Sequence, residues 1–373
     1  MPKSEEPLPR QLKDWFDEKR YRQLADALVQ ITPRFQKQTF LELTLKGLES
    51  RSLMQRLHQC AVATDASLPG TYLQKLQVLQ ALAPQIDHSF VGIFLCDFVA
   101  TYGQHDVNTS LEALRRFTRY GSAEFAVRPF IAADPVRTLK RLLTWTADPD
   151  EHVRRLASEG SRPRLPWGLK LKALVNDPTP CGPILEALKA DPSLYVRRSV
   201  ANHLNDITKD HPNWVLNQLE QWDLRQEPLR WIARHACRTL IKRGDPRALR
   251  LFGYGEQANL EAEFSIHPSR VMLGQPIQLE VQLTSTHQEA QPLVIDYVVH
   301  YVKTRGQTFA KVFKWTEVEL PASATLTLSK KQTLRDFTTR KHHAGHHLVE
   351  LQVNGVRVAQ SSFALELDMK RQP

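Results

Sequence analysis

The chain has 373 residues, 42% of them hydrophobic, with 50 lysines and arginines against 40 aspartates and glutamates. That length exceeds the usual single domain, so two domains are expected, each able to bury a core. The formal charge of +10 favours an anionic partner, nucleic acid ahead of a membrane, since no stretch reads as a basic amphipathic membrane helix.

The N-terminus carries Glu5 and Glu6 near Lys3 without an apolar run, which does not fit a signal peptide. Helix then follows helix up to about residue 252. Leu24, Leu28 and Ile31 keep helical spacing, as do Leu73, Leu76, Leu79 and Leu82. Pro33, Pro69-Gly70, Pro84, Gly103 and Gly121 punctuate the helices. The longest apolar run, Val91 to Ala100, contains Asp97 and is too short to span a bilayer. Cys60, Cys96, Cys181 and Cys237 lack ligand spacing and stand far apart, as in a reducing cytoplasm.

An internal repeat follows. Asp134-Pro135 and Asp148-Pro149 lie 14 residues apart, and Asp177-Pro178 and Asp191-Pro192 repeat that pattern 43 residues later. Asp-Pro reads as an N-cap followed by an N1 proline, so each unit is expected to hold two helices. Leu142 aligns with Leu185, Val153 with Val196, and Arg154-Arg155 with Arg197-Arg198. A two-helix unit of this length marks a HEAT-like α-solenoid, expected over residues 1–254. After Gly253 and Gly255 the period becomes alternating. Strands are predicted at Leu260–His267, Ile277–Ser285, Leu293–Val302, Phe309–Leu320, Thr325–Leu334, His346–Val353 and Val356–Leu367. Asn354-Gly355 marks a hairpin turn. An all-β Ig-like sandwich is expected over residues 255–373, without the Cys–Trp–Cys core of antibody domains.

Arg230, Arg234, Arg238 and Lys242 recur every four residues, a stripe on one predicted helix. With Arg154, Arg155, Arg197 and Arg198 they suggest a ladder of positive charge with few acids between, fit for phosphates. The plain alternative is a solvated face. The stretch Glu159-Gly160-Ser161-Arg162-Pro163-Arg164-Leu165-Pro166-Trp167 reads either as a helix end with a packed indole or as a rigid loop. As a loop it gathers a carboxylate, two guanidiniums and an aromatic face. Glu124, after Gly121-Ser122, is a second acidic candidate, or simply a first-turn glutamate that suits the helix dipole. The loop Arg335 to His347, with Arg340, Lys341, His342, His343, His346 and His347, lacks cysteine ligands. It reads as a phosphate contact, through Lys341 and His343, rather than as a metal site. No phosphate loop, nucleophile elbow or zinc-protease motif is present.

Three stretches carry a resemblance: Ser122-Ala123-Glu124-Phe125-Ala126-Val127-Arg128-Pro129-Phe130, Val153 through Gly160 running into Arg162-Pro163-Arg164-Leu165-Pro166-Trp167, and Val196 through Asp206. They resemble the AlkC family of bacterial DNA-alkylation-repair glycosylases, members of which carry an Ig-like domain after HEAT-like repeats. The resemblance implies a monofunctional glycosylase that removes 3-methyladenine and 3-methylcytosine from duplex DNA in base excision repair. It further implies that Glu124, Glu159 and Trp167 occupy active-site positions, with no metal or cofactor. Such an enzyme is expected to be a cytoplasmic monomer that meets the lesion from the backbone side without a base-reading pocket. The alternative is a non-catalytic HEAT-repeat scaffold for nucleic acid or an acidic protein.

Overall fold

A computed structural model describes residues 11–255, 257–303, 306–336 and 341–367. Arg340 and the other residues at 337–340 of the basic loop lie outside the described residues. Helices fill the chain up to Pro246–Arg250, and strands begin at Leu260. The helical period places the core: Tyr21, Leu24, Ala25 and Leu28 are the buried face of Glu18–Ile31, which Asp17 caps through the Arg20 amide. In Tyr72–Leu82, residues Leu76, Leu79 and Leu82 are buried, whereas Leu73, in the first turn, is 56% exposed.

The repeat is visible in packing as well as in sequence. Leu142 and Leu185 are both buried, as are Val153 and Val196. The Asp-Pro pairs behave differently from the N-cap expectation, except at Asp134, which caps the Arg137 amide ahead of Pro135–Trp145. Asp148 and Asp191 instead make Asx turns two residues ahead of the helix N-cap, accepting from the amides of Asp150 and Ser193, both at 2.9 Å. Their second oxygens accept from an arginine of a preceding helix, Arg115 Nε to Asp148 and Arg154 Nε to Asp191, each at 2.7 Å. The aspartates thus join one repeat to the next, and Asp150 and Ser193 stand as N-cap residues.

The helix-to-strand switch near residue 254 is not where the packed units divide. One unit comprises residues 1–211 with 223–232, the other residues 212–222 with 233–373. Helix Arg238–Arg243 packs against the strands of the second unit. Its left-handed C-cap Gly244 meets Gly355 of the Asn354-Gly355 turn so closely that a Cβ on Gly244 would lie 2.5 Å from the Gly355 Cα. In the same unit Arg234 pairs with Glu317, Tyr254 Oη donates to Glu317 at 2.8 Å, and Gln352 Nε2 donates to the Lys242 carbonyl at 3.2 Å.

The strands are β1 (Leu260–His267), β2 (Arg270–Met272), β3 (Pro276–Ser285), β4 (Gln291–Val302), β5 (Thr308–Leu320), β6 (Thr325–Thr333), β7 (Gly345–Val353) and β8 (Val356–Glu366). They form one sheet in the order β1-β3-β6 and another in the order β2-β8-β7-β4-β5. Ile277, Leu279, Val281 and Leu283 of β3 alternate into a core shared with Leu293, Ile295, Tyr297 and Val299 of β4. The other face of β4 is buried too, at Val294, Asp296 and Val298, which explains its nearly unbroken apolar sequence. Only β2 escaped the sequence pattern, because three residues are too few to show an alternation.

Candidate active site

Two glycines set the entry to the site. Gly92, on helix Ser89–Tyr102, and Gly121 lie in backbone contact. A Cβ on Gly92 would sit 2.3 Å from the Tyr120 carbonyl oxygen, and one on Gly121 would sit 2.3 Å from the Gly92 carbonyl carbon. This approach fixes the turn that follows, and with it Ser122 and Glu124. The Glu124 carboxylate does not serve a helix N-terminus. It accepts from Ser122 Oγ at 2.6 Å and from the Arg155 guanidinium of helix Glu151–Gly160.

Glu159 lies in the last turn of that same helix, where the dipole disfavours a carboxylate, and it is buried. Donors compensate. Arg162 Nη1 donates to Oε1 at 2.6 Å, Ser199 Oγ of helix Leu194–Ile207 donates to Oε2 at 2.6 Å, and Arg155 Nη2 stands 3.5 Å from Oε1. Arg162 is itself held by Asp206 at 2.8 Å. Arg155 therefore spans both glutamates, and its guanidinium lies 5.0 Å over the Tyr195 ring. Burial works against the Arg155 charge, but Glu124 and Glu159 more than offset it and raise its pKa.

Trp167 stands at the tip of the following loop, 87% exposed and in the left-handed region at φ 63°. The loop is held from inside by Arg128, a fully buried arginine. Arg128 donates to the carbonyls of Leu169 (2.6 Å), Gly160 (2.9 Å) and Arg162 (2.7 Å). Burial and the neighbouring Arg162 push its pKa down to about 10, which still leaves it charged at neutral pH. The packing is close: a Cβ on Gly160 would lie 2.5 Å from Val127 Cγ1.

The two glutamates, Arg155, Arg162 and Trp167 line a cleft of about 480 Å³. Glu124, Arg155, Glu159 and Arg162 supply its charged lining, Trp167 and Tyr195 line it too, and Leu53, Met54, Phe90, Ile93 and Phe125 supply apolar surface. Of the residues singled out in the sequence, Glu124, Glu159, Trp167, Arg155 and Arg162 come together here. Sequence reasoning missed Ser199, Tyr195, Asp206 and the apolar lining, whose contributors lie far apart in the chain and carry no local mark.

The arginine ladder requires correction. Acids do stand between the arginines, supplied by distant turns. Arg154 is paired with Asp191 and donates to the carbonyls of Asp148 and Pro149, and Arg197 donates to the equivalent carbonyls of Asp191 and Pro192. Arg164 forms a two-point pair with Asp210 at 2.7 and 2.8 Å. The four-residue stripe is also broken, because Glu227–Ala236 and Arg238–Arg243 are separate helices. Arg234 turns to Glu317, and Arg238 donates to the His235 carbonyl. Arg198 and Arg230 are exposed and make no ion pair among the described residues. Lys341 is exposed, His343 is half-buried, and its carbonyl faces His347 Nε2 at 3.2 Å. His342 and His347 are buried, His347 stacking on Phe363, so the histidine run is divided between core and surface. Among the described residues no group of three potential metal ligands lies together. The four cysteines are free and buried, and no described helix is long and apolar enough to cross a membrane.

The structure of the Pseudomonas fluorescens alkylpurine DNA glycosylase AlkC, bound to DNA containing an abasic site analog, matches with a TM-score of 0.93. The two sequences are 46% identical, over 96% of this chain and 100% of that one. The chain belongs to the AlkC family. A further relative of this AlkC-family chain is protein YhaZ of Bacillus subtilis (strain 168), described as uncharacterized. It is 40% identical over 346 residues, 92% of this chain and 96% of YhaZ. Residues 261–367 match the family described as the C-terminal Ig-like domain of YhaZ.

Proposed function

We propose that the protein is a monofunctional DNA glycosylase that excises cationic alkylated bases, 3-methyladenine and 3-methylcytosine, from duplex DNA. The observation that carries this reading is the cleft. Two carboxylates, each fixed by a serine and a guanidinium, share it with an exposed tryptophan. The chain's 46% identity to an alkylpurine DNA glycosylase supports the same reading.

Methylation at N3 leaves the base positively charged. As the bond from sugar C1′ to the base nitrogen breaks, its electron pair stays with the base, which departs neutral. The positive charge moves to the sugar as an oxocarbenium ion, as in glycoside hydrolysis. A carboxylate about 4 Å away supplies up to about 4 kcal/mol at an effective dielectric of 20. Water oxygen then bonds to C1′, and its proton passes to a carboxylate and on to solvent. Free base and an abasic site are the products, and no metal or cofactor enters the balance. Trp167 gives a flat face to the sugar or to a neighbouring base and excludes water. Arg198, Arg230, Lys341 and His343 are assigned to phosphates, which fix position without reading sequence. Arg162, Arg164, Arg154, Arg197, Arg234 and Arg238 first serve the internal contacts described above. The protein acts as a cytoplasmic monomer in this scheme.

The test is release of free base from methylated duplex by the purified protein. Release of 3-methyladenine and 3-methylcytosine is expected, with uracil released poorly because a neutral base needs a proton to leave and both cleft carboxylates already accept from guanidinium and serine donors. Binding without release would favour the alternative, a HEAT-repeat scaffold. Efficient uracil release would overturn the mechanism.

A further inference from the structure

We infer that Ser199 is a positioning residue for the excision step, acting through Glu159. This inference rests on the glycosylase reading above. Ser199 is buried and does not line the cleft, so it is not available to touch DNA. Its hydroxyl lies 2.6 Å from Glu159 Oε2 and 3.0 Å from Ser158 Oγ. A serine has one proton to give, and the short charge-assisted contact takes it. The Ser158 proton is then left to point back at Ser199.

The other end of this arrangement is also fixed from helix Leu194–Ile207. The Ser158 carbonyl belongs to the open C-terminal turn that carries Glu159, where backbone acceptors lack helical partners. His203 Nδ1 donates to it at 3.0 Å, and His203 is fully buried. Burial, with Arg162 and Arg128 nearby, pushes the His203 pKa down to about 3. A neutral imidazole with its proton on Nδ1 therefore holds the turn throughout the neutral range. Ser161 Oγ donates to the Ala157 carbonyl at 2.7 Å and closes the same turn. One helix thus grips its neighbour twice, at the Ser158 backbone through His203 and at the Glu159 side chain through Ser199.

The consequence is directional. Arg162 and Arg155 both approach Oε1, whereas Ser199 donates to Oε2. Without it the carboxylate is free to rotate towards its two guanidiniums, away from the orientation that Ser199 fixes in the cleft lining. Electrostatic stabilisation requires a group already placed before the charge forms. Losing that placement lowers the rate of the chemical step and leaves DNA binding untouched.

The experiment is single-turnover excision of 3-methyladenine from methylated duplex, with duplex affinity measured alongside. Ser199→Ala and Ser199→Cys should each slow excision by about tenfold or more, equivalent to about 1.4 kcal/mol or more. Ser199→Thr, which keeps the hydroxyl, should stay near the wild-type rate, and affinity should be unchanged in all three. In a Glu159→Gln background the same changes should have no further effect, because the group they act through is gone. Cysteine conserves volume, so the comparison of Cys with Thr decides the matter even where alanine fails to fold. Equal rates for Cys and Thr, or an equal loss with and without Glu159, overturn the inference. A wild-type protein that releases no methylated base overturns the glycosylase reading and this inference with it. Wild-type turnover with indifferent Ser199 variants overturns this inference alone.

Discussion

Glu124 and Glu159 differ in how they are held although each has a serine and a guanidinium. Glu159 is buried at a helix end and fixed from two helices; Glu124 sits in a turn and is held by Ser122 and Arg155. Glu124→Gln and Glu159→Gln should each reduce excision by about 100-fold, roughly 3 kcal/mol of transition-state stabilisation. Both variants should stay folded, since Arg155 retains one carboxylate in either case and Arg162 retains Asp206. Wild-type single-turnover rates in both would remove these residues from the chemistry. The arginines divide in a way that salt dependence reads directly. Arg198→Ala with Arg230→Ala should make the slope of log affinity against log salt shallower by about 0.9 for each phosphate that is no longer neutralised. Arg154→Ala should leave the slope alone and lower the melting temperature, because it strands Asp191, a buried carboxylate. The reverse pattern would return Arg154 to the DNA interface.

At the scale of elements, β4 carries a titratable liability. It takes a register shift between Ile295 and Asp296, and Asp296 is only 1% exposed. Burial pushes its pKa up to about 6, from an ordinary value of 3.8, against the pull of Lys242 and Lys314. A raised carboxyl pKa means that the folded state holds the proton more tightly than the unfolded state. The stability contribution of Asp296 is then present below pH 3.8 and is lost as the pH rises through about 6. Asp296→Asn does not titrate, so its melting temperature relative to wild type should rise between pH 4 and pH 8, most steeply near pH 5–6. A constant difference across that range would show that Asp296 stays ionised in the fold. Nearby Glu317 goes the other way. Burial opposes its charge, but hydrogen bonds from Lys314, Arg234 and Tyr254 hold it down to about 2.

For the whole molecule, the packed units bear on how the chain tolerates shortening. Helix Arg238–Arg243 belongs with the strands, through the Gly244–Gly355 contact and the Gln352 bond to the Lys242 carbonyl. A chain shortened to residues 1–255 loses Glu317, the partner of Arg234 and Tyr254, and uncovers the helical residues that the strands bury. It should melt well below the full chain and lose amide-exchange protection in Arg238–Arg243. A shortened chain with unchanged protection there would mean that these helices belong to the first unit's folding. Affinity measured on such a chain would therefore mix any loss of DNA contact with impaired folding. Substitutions at Lys341 and His343 in the full chain test the DNA contribution of the strands more cleanly.

The sequence by itself determined the order of the elements, because periodicity is a local property. Leu24 and Leu28 mark a helical face, β3 alternates, and Asn354-Gly355 turns the last hairpin, each within a few residues. It also determined the repeat, since Leu142 and Leu185, or Val153 and Val196, need only be compared at a fixed spacing. The glutamates and Trp167 were legible as an unusual pattern beside prolines and arginines. What the arginines bind was decided only by tertiary structure. Arg154 meets Asp191 and Arg162 meets Asp206, 37 and 44 residues away, and no local spacing predicts such partners. The same holds for Ser199, an unremarkable serine until two helices pack and bring it against Glu159. It holds for the packed units as well, because close approach at Gly244 and Gly355 depends on how distant surfaces fit. Charge and period are written along the chain, whereas pairing and burial arise from the surfaces that the fold brings together.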